Sequence, residues 1–365
     1  MQIQPFALER FFARHEHDAD VMLAESGIRP PPVAEFDTEP DSLGYVVPTD
    51  GDPELRATLA DRYDRAAAEV VCTSGAQEAN FTALASLVDD HAVCVTPTYQ
   101  SLHAVPDAVG EVTRVGLDSA GWTLDVETVK AAVRPGTDVV VLNNPNNPTG
   151  RYHDRETVAA LYEIAADADA YLLCDEVYRL LAEEPLPPVA AMGEYGISTS
   201  SVSKAHGLAG CRFGWLAGPP AVVDAATRWT DYTTISPSTF GQHVARQAIE
   251  RREALLAENR ALAAHHRSIV ASFLDEHGLG WSDPDCGVNA LVEVPDGFDG
   301  GEQFCRSLLE AESVVLAPGE AFGVPDRFRI GYGLPRTELE RGWSGSDGSW
   351  SGTPDRSNRF WSTGT

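Results

Sequence analysis

Residues Ser201 to Trp215 read SVSKAHGLAGCRFGW, and Lys204 within them is one of two lysines in 365 residues; the other is Lys130. Arginine supplies nearly all the remaining cationic charge, so charge alone does not account for a lysine between serines and glycines. What a lysine amine can do, and a guanidinium cannot, is lose its proton and act as a nucleophile. Imine chemistry with a carbonyl group is therefore the first expectation for this loop.

Other groups at similar places in the chain specify that chemistry further. Asp175 ends the apolar run YLLCD, and a carboxylate there could keep a pyridine nitrogen protonated, although an Asp after a strand is more often a helix cap. SGAQEAN places Gly75, Ala76 and Gln77 at a helix start, where free amides and the helix dipole attract an anion. Ser201 and Ser203 could add hydroxyl donors, and Arg212 a two-pronged guanidinium. Read singly, the glycine is an ordinary turn residue, the serines cap a turn and the arginine sits in a surface ion pair. Read together, an amine, a phosphate clamp and a carboxylate are what pyridoxal 5'-phosphate needs from a protein.

The elements that must position these groups follow from the spacing of apolar residues. Short runs such as EVVCTSGA, HAVCVTP, EVTRVGL, TDVVVLNNP, AYLLCDEVY and GISTSSVSK read as strands. Between them, QEANFTALASLV, YQSLHAVPDAVG and DRETVAALYEIAADAD have helical periodicity. TDVVVLNNP is almost wholly apolar, as a strand covered on both faces must be. The alternation predicts an α/β fold, a mainly parallel sheet sandwiched by helices, with polar motifs at the carboxyl ends of its strands. Beyond Gln242, a stretch to Gly278 reads as one long helix, followed by VNALVEV, GEQFCRSLLEAE, SVVLAP and RFRIGYG, a smaller α+β unit.

Composition narrows the function further. The chain is 43% hydrophobic, with 55 acidic and 27 basic residues and a formal net charge of -28. Such a field repels phosphate backbones and anionic lipid, so neither nucleic acid nor a membrane is an expected partner. An acidic, lysine-poor surface fits a salt-loving source, because in molar salt the Debye length falls to roughly 3 Å. The six cysteines show no metal-ligand spacing, and no site for a metal is expected. With no basic-then-apolar leader and no long apolar run, a cytoplasmic location is expected.

The segments SGAQEA, P-T-Y, NNPNNPTG, DEVY, S-x-S-K…GLAG-x-R-x-G and RFRIGYG, in this order, resemble the class I/II aminotransferases of the fold-type I pyridoxal-phosphate family. The resemblance covers about Leu43 to Gly333. It implies that Lys204 is the Schiff-base lysine and the base that moves the substrate proton, and that Asp175 pairs with the pyridine nitrogen. It implies that Asn147 and Tyr178 bond the phenolic oxygen and that Tyr99 stacks on the ring. Gly75, Ala76, Gln77, Ser201, Ser203 and Arg212 would hold the phosphate. Tyr45 would reach the neighbouring subunit's phosphate, implying a homodimer with shared sites. Arg329 would grip the substrate α-carboxylate, with Arg327 as its positional competitor, and Gly44 and Asn147 would also face the substrate. His206 is expected to pack and Lys130 to be a solvated helix residue.

The implied reaction moves an amino group between an α-amino acid and a 2-oxo acid. A lyase, a decarboxylase or a cyclising enzyme of the capreomycidine-synthase kind is the alternative on the same scaffold. A transcription regulator's effector module would need a DNA-binding domain ahead of Leu43, and the short stretch there and the acidic charge make that reading unexpected. The expected divisions are 1–44, an N-terminal arm and part of the small domain; 45–245, the large cofactor domain; 246–342, the small domain; and 343–365, an irregular tail. That tail, rich in Ser, Gly and Trp, stands where the family usually has a final amphipathic helix, as a shift of reading frame near Trp343 would produce.

Overall fold

Apolar runs of five to seven residues, separated by amphipathic segments, fold in the computed structural model into a layered α/β arrangement; the structure describes residues 2–342. The expected irregular tail at 343–365 lies outside the described residues. The chain begins with α1 (Ala7–His15) and β1 (Val21–Met22). Next, α2 (Pro53–Ala60) starts where Asp52 accepts from the Leu55 amide and proline occupies the first turn. That pairing satisfies one free amide and presets φ. Then come β2 (Val70–Thr73), α3 (Ala76–Leu87), β3 (His91–Thr96), α4 (Ser101–Val109), β4 (Glu111–Gly116) and α5 (Val126–Ala132). The sheet is completed by β5 (Thr137–Asn143), β6 (Tyr171–Asp175), β7 (Gly196–Ser201) and β8 (Gly214–Ala217), with α6 (Arg155–Asp167) between β5 and β6.

The strand order is β2-β8-β7-β6-β5-β3-β4. Strands β3 to β7 pair in parallel with their neighbours, while β8 lies antiparallel between β7 and β2. Alternate residues of β5 enter two separate cores. Val139 and Val141 pack with Val71, Ala83 and Leu216; Val140 and Leu142 pack with Val93, Val129 and Leu161. Burial on both faces is what made this run continuously apolar, each side chain contributing roughly 1.5–3 kcal/mol. Strand β8 was not expected, because its four residues sit inside the lysine-loop motif and carry too little periodicity to stand out.

After α7 (Pro220–Thr230), the predicted single long helix is instead two, α8 (Thr239–Glu250) and α9 (Arg252–Glu276). No proline or glycine causes the break. On one side of Arg251, Val244, Ala245, Ala248 and Ile249 pack with Leu55, Trp215 and their neighbours. On the other, Leu256, Ala263, Val270 and Leu274 belong to a different core. One straight helix cannot aim both apolar stripes at both cores, and Arg251 leaves the helix to donate to the Glu35 carbonyl at 2.6 Å.

The remaining elements are β9 (Asn289–Glu293), α10 (Gly301–Glu312), β10 (Val314–Val315), β11 (Ala317–Pro318), β12 (Arg327–Gly331) and α11 (Arg336–Arg341). β11, β12 and β9 form an antiparallel sheet, while β10 pairs in parallel with β1. The predicted run SVVLAP is thus divided between two sheets. Leu8, Phe11 and Leu23 from the N-terminal segment share a core with Phe304, Ile330 and Leu339. The beginning of the chain is packed onto its last third, which brings it over the carboxyl edge of the large sheet. All six cysteines are unpaired thiols, five of them buried. No described helix is long and apolar enough to cross a membrane.

Candidate active site

Strands β6 and β7 lie side by side in parallel, with Asp175 registered against Thr199. Asp175 therefore ends β6 at the same edge of the sheet from which the chain runs on through Ser201 to Lys204. Asp175 is buried; its Oδ2 accepts from Asn80 Nδ2 at 2.7 Å and its Oδ1 from the Val177 amide at 3.2 Å. Asn80 in turn accepts from the Thr199 hydroxyl at 2.5 Å, so the carboxylate is held by its neighbours on α3 and β7. Burial pushes its pKa up to about 6, against the pull of these hydrogen bonds and of the Lys204 charge. A buried acid poised near neutrality favours a cationic partner.

Lys204 Nζ donates to Ser26 Oγ at 3.0 Å and pairs with Glu25 Oε1 at 3.4 Å. Burial alone would lower the amine's pKa, but Tyr178 and the Glu25 carboxylate outweigh it and the net shift is upward. Glu25 and Ser26 were not among the residues expected at the site.

The anion cradle forms where β2 turns into α3. Gly75 caps that helix with φ of +92°, a conformation suited to glycine. Among the described residues the Ala76 and Gln77 amides have no acceptor, as the first amides of a helix do. Arg212 closes the cradle from the lysine loop, donating to the Ser74 carbonyl at 3.2 Å and to Ser203 Oγ at 3.5 Å. Ser201 Oγ accepts from the Ser203 amide at 3.2 Å. A Cβ on Gly214 would lie 2.5 Å from the Gly75 carbonyl carbon and 2.6 Å from the Ala76 nitrogen. This last glycine of the lysine motif lets β8 approach the cradle. We expect Gly214→Ala to weaken binding of pyridoxal phosphate about tenfold, since overpacking costs about 1–3 kcal/mol. Titration of the stripped protein, followed by its visible absorbance, would measure this; unchanged affinity would place the phosphate elsewhere.

Asn147 and Tyr178 are both buried. Asn147 Oδ1 accepts from Arg329 Nη1 at 3.0 Å, and its amide is fixed by Asn143 Oδ1 at 2.6 Å. The Tyr178 hydroxyl donates to the Ser26 carbonyl at 2.9 Å. Tyr99 packs beside Phe6, ring centroids 5.0 Å apart, and its hydroxyl donates to Glu9 Oε1 at 3.3 Å.

Arg329 is 1% exposed, yet among the described residues no carboxylate forms an ion pair with it. Its Nη groups donate to Asn147 and to the Ala24 carbonyl at 2.6 Å, while its buried Nε has no partner among the described residues. An unpaired buried guanidinium is costly unless a ligand completes it. Arg327, the positional competitor, is engaged by Glu293 at 2.6 Å and Asp326 at 3.5 Å. Of the two arginines, Arg329 is thus the one with no carboxylate partner among the described residues.

Gly44 and Tyr45 are not brought to Lys204 in this chain. Gly44 contacts Ser42 and Thr239, and Tyr45 is 69% exposed beside exposed Leu43 and Val47. His206 is buried with neither ring nitrogen partnered among the described residues, and burial, aided by Arg62 and Arg252, pushes its pKa down to about 4. It packs as a neutral ring. Lys130 is exposed on α5. The donor set fits a phosphorylated pyridine aldehyde: free amides and Arg212 for a dianion, Asp175 for a ring cation, Lys204 for a carbonyl carbon. Among the described residues no cluster of His, Cys, Asp and Glu could hold a metal ion.

Known proteins are similar to this chain over most of its length. The family model "Aminotransferase class I and II" matches residues 26–344. Capreomycidine synthase of Streptomyces vinaceus is 34% identical over 305 residues, 81% of this chain and 78% of that protein. The aspartate/prephenate aminotransferase of Thermus thermophilus is 30% identical over 309 residues, 80% of each. A PLP-dependent aminotransferase from Streptococcus suis superposes with a TM-score of 0.88 at 29% identity, covering 94% of this chain and 96% of that one.

Proposed function

Because this chain belongs to the class I and II aminotransferase family, which works with pyridoxal phosphate, we propose which of its residues carry amino transfer between an α-amino acid and a 2-oxo acid. The observation that carries the reading is the Lys204 amine and the buried Asp175 carboxylate at one edge of adjacent strands. When bound, pyridoxal phosphate supplies an aldehyde for the amino group and a ring that draws electrons from the substrate Cα. Ala76, Gln77, Ser201, Ser203 and Arg212 would hold its phosphate, and Gly75 gives the backbone the turn that cradle requires. Asp175 would keep the ring nitrogen protonated. Asn147 and Tyr178 would hydrogen-bond the phenolic oxygen, and Tyr99 would pack against the ring. Arg329 would bind the substrate α-carboxylate, and Lys204 Nζ would take up the Cα proton as general base.

Arg329→Lys keeps the charge but loses the planar fork. Its expected effect is a rise in KM for the amino acid of about tenfold or more, with a smaller change in kcat, read from steady-state kinetics. A KM that stays put would remove Arg329 from carboxylate binding.

The finer assignments belong to the same reading. The protein is a cytoplasmic homodimer in which Tyr45, exposed on its own chain, reaches the partner's phosphate and Gly44 lines the shared cleft. Its surface charge is an adaptation to high salt. The divisions at residues 45 and 246 separate a cofactor domain from a small domain that includes the N-terminal arm.

A cyclising or eliminating enzyme is the second reading, favoured by the 34% identical synthase. One experiment separates the two. The loaded enzyme is given amino donors alone, in high potassium chloride, and products are counted. Amino transfer stops after one equivalent of 2-oxo acid per site; a cyclase or lyase continues past it.

A further inference from the structure

We propose that Glu25, seconded by Glu9, makes this site select amino acids whose side chain ends in a cation. The proposal deepens the reading of Lys204 and Arg329 given above and rests on it. Glu25 is exposed between two buried neighbours, Ala24 and Ser26. Both neighbours are tied into the site: Arg329 donates to the Ala24 carbonyl, and Tyr178 and Lys204 donate to Ser26. The Gly331 amide adds a bond to the Leu23 carbonyl at 2.6 Å, and a Cβ on Gly331 would collide with the Glu25 carbonyl oxygen. A backbone fixed at this many points presents its carboxylate toward the reacting centre, 3.4 Å from Lys204 Nζ, as a built feature.

Glu9 approaches from α1. Gln100 pins the start of that helix, accepting from the Ala7 amide at 2.8 Å and donating to the Pro5 carbonyl at 3.0 Å. The neighbouring Tyr99 hydroxyl donates to Glu9 Oε1. Both carboxylates act on the buried Arg329 guanidinium, and the Glu25 carboxyl is held below its usual range, mainly by Lys204 and, against burial, also by Arg329.

Substrate entry removes both supports. Lys204 is the only ion-pair partner of Glu25 among the described residues, and Glu9 has none there. Lys204 is committed to the cofactor until the incoming amino group displaces it, and is then the neutral amine that serves as base; the substrate α-carboxylate neutralises Arg329. Until the Cα proton is taken up, Glu25 and Glu9 are left with no formal cation among their ion-pair partners in the described residues. A side chain bearing an ammonium or guanidinium group restores the balance. A second carboxylate, as in a dicarboxylic amino acid, adds a repulsion instead.

The test uses matched pairs on the loaded enzyme: ornithine against norvaline and arginine against citrulline, with glutamate as the anionic probe. Apparent affinity is read from the change each causes in the cofactor's visible band. The expected result is a preference of about tenfold or more for the cationic member of at least one pair, as a charge-assisted contact provides, with glutamate weakest. E25Q should cut that ratio at least about fivefold, and E9Q by less. Ratios near one in the unaltered protein, or a ratio retained in both variants, would overturn the proposal. A band that no amino acid perturbs would overturn the aminotransferase reading of Lys204 itself, and this inference with it.

Discussion

Lys204→Ala is expected to lose both the visible absorption of the bound cofactor and at least about 10³-fold of the turnover rate, because no other amine at the site can take the proton. The fold should survive. Among the described residues the ammonium's hydrogen-bond and ion-pair partners are the Ser26 hydroxyl and the half-exposed Glu25 carboxylate, and neither belongs to a core. Lys204→Arg sharpens the comparison, since it keeps a cation near Glu25 but offers no nucleophile. Absorption spectra, circular dichroism and single-turnover rates of the two variants would check this. A coloured, active Lys204→Ala protein would end the imine reading.

The second large effect is expected at Asp175. Asp175→Asn removes the charge that opposes the ring cation and leaves Asn80 or the Val177 amide without an acceptor. Breaking a buried pair costs about 3–5 kcal/mol, which corresponds to a rate loss of roughly 10²- to 10⁴-fold if the pair is fully used in the transition state. The same residue predicts a pH signature in the protein stripped of pyridoxal phosphate. Burial raises its pKa from 3.8 to about 6, so between those values the folded chain holds a proton that the unfolded chain releases. Its contribution to stability is therefore present at low pH and is lost as pH rises through about 6. Relative to Asp175→Asn, the unaltered protein should lose on the order of 3 kcal/mol across that window. Urea midpoints of both proteins between pH 4 and pH 7 would measure it, and parallel curves would contradict it.

Arg329 shows how residue type and placement divide the work. RFRIGYG presents two arginines, and nothing in the run itself chooses between them. The choice is made across strands: Glu293, registered opposite Arg327, pairs with it, while Arg329 faces Leu291 and is left to Asn147 and Ala24. A similar limit applies to the long apolar-periodic stretch after Gln242. Its helical period is plain, but the break at Arg251 comes from two cores pulling on one stripe.

What the amino-acid order determined by itself is the chemistry: an amine, an acid and an anion cradle, each placed at the end of a strand. Those features are local, since a strand end, a positive-φ glycine and the first amides of a helix are set by a few consecutive residues. What only the tertiary structure decided is the cover over that chemistry. Ser26 meets Lys204 across 178 residues of sequence, and Ala24 meets Arg329 across 305. The segment Ala24–Ser26 carries no motif because its place is set by hydrogen bonds donated from β12, Tyr178 and Lys204. Contacts between such distant parts of a chain leave no periodicity to read, and it is they that put the Glu25 carboxylate beside Lys204.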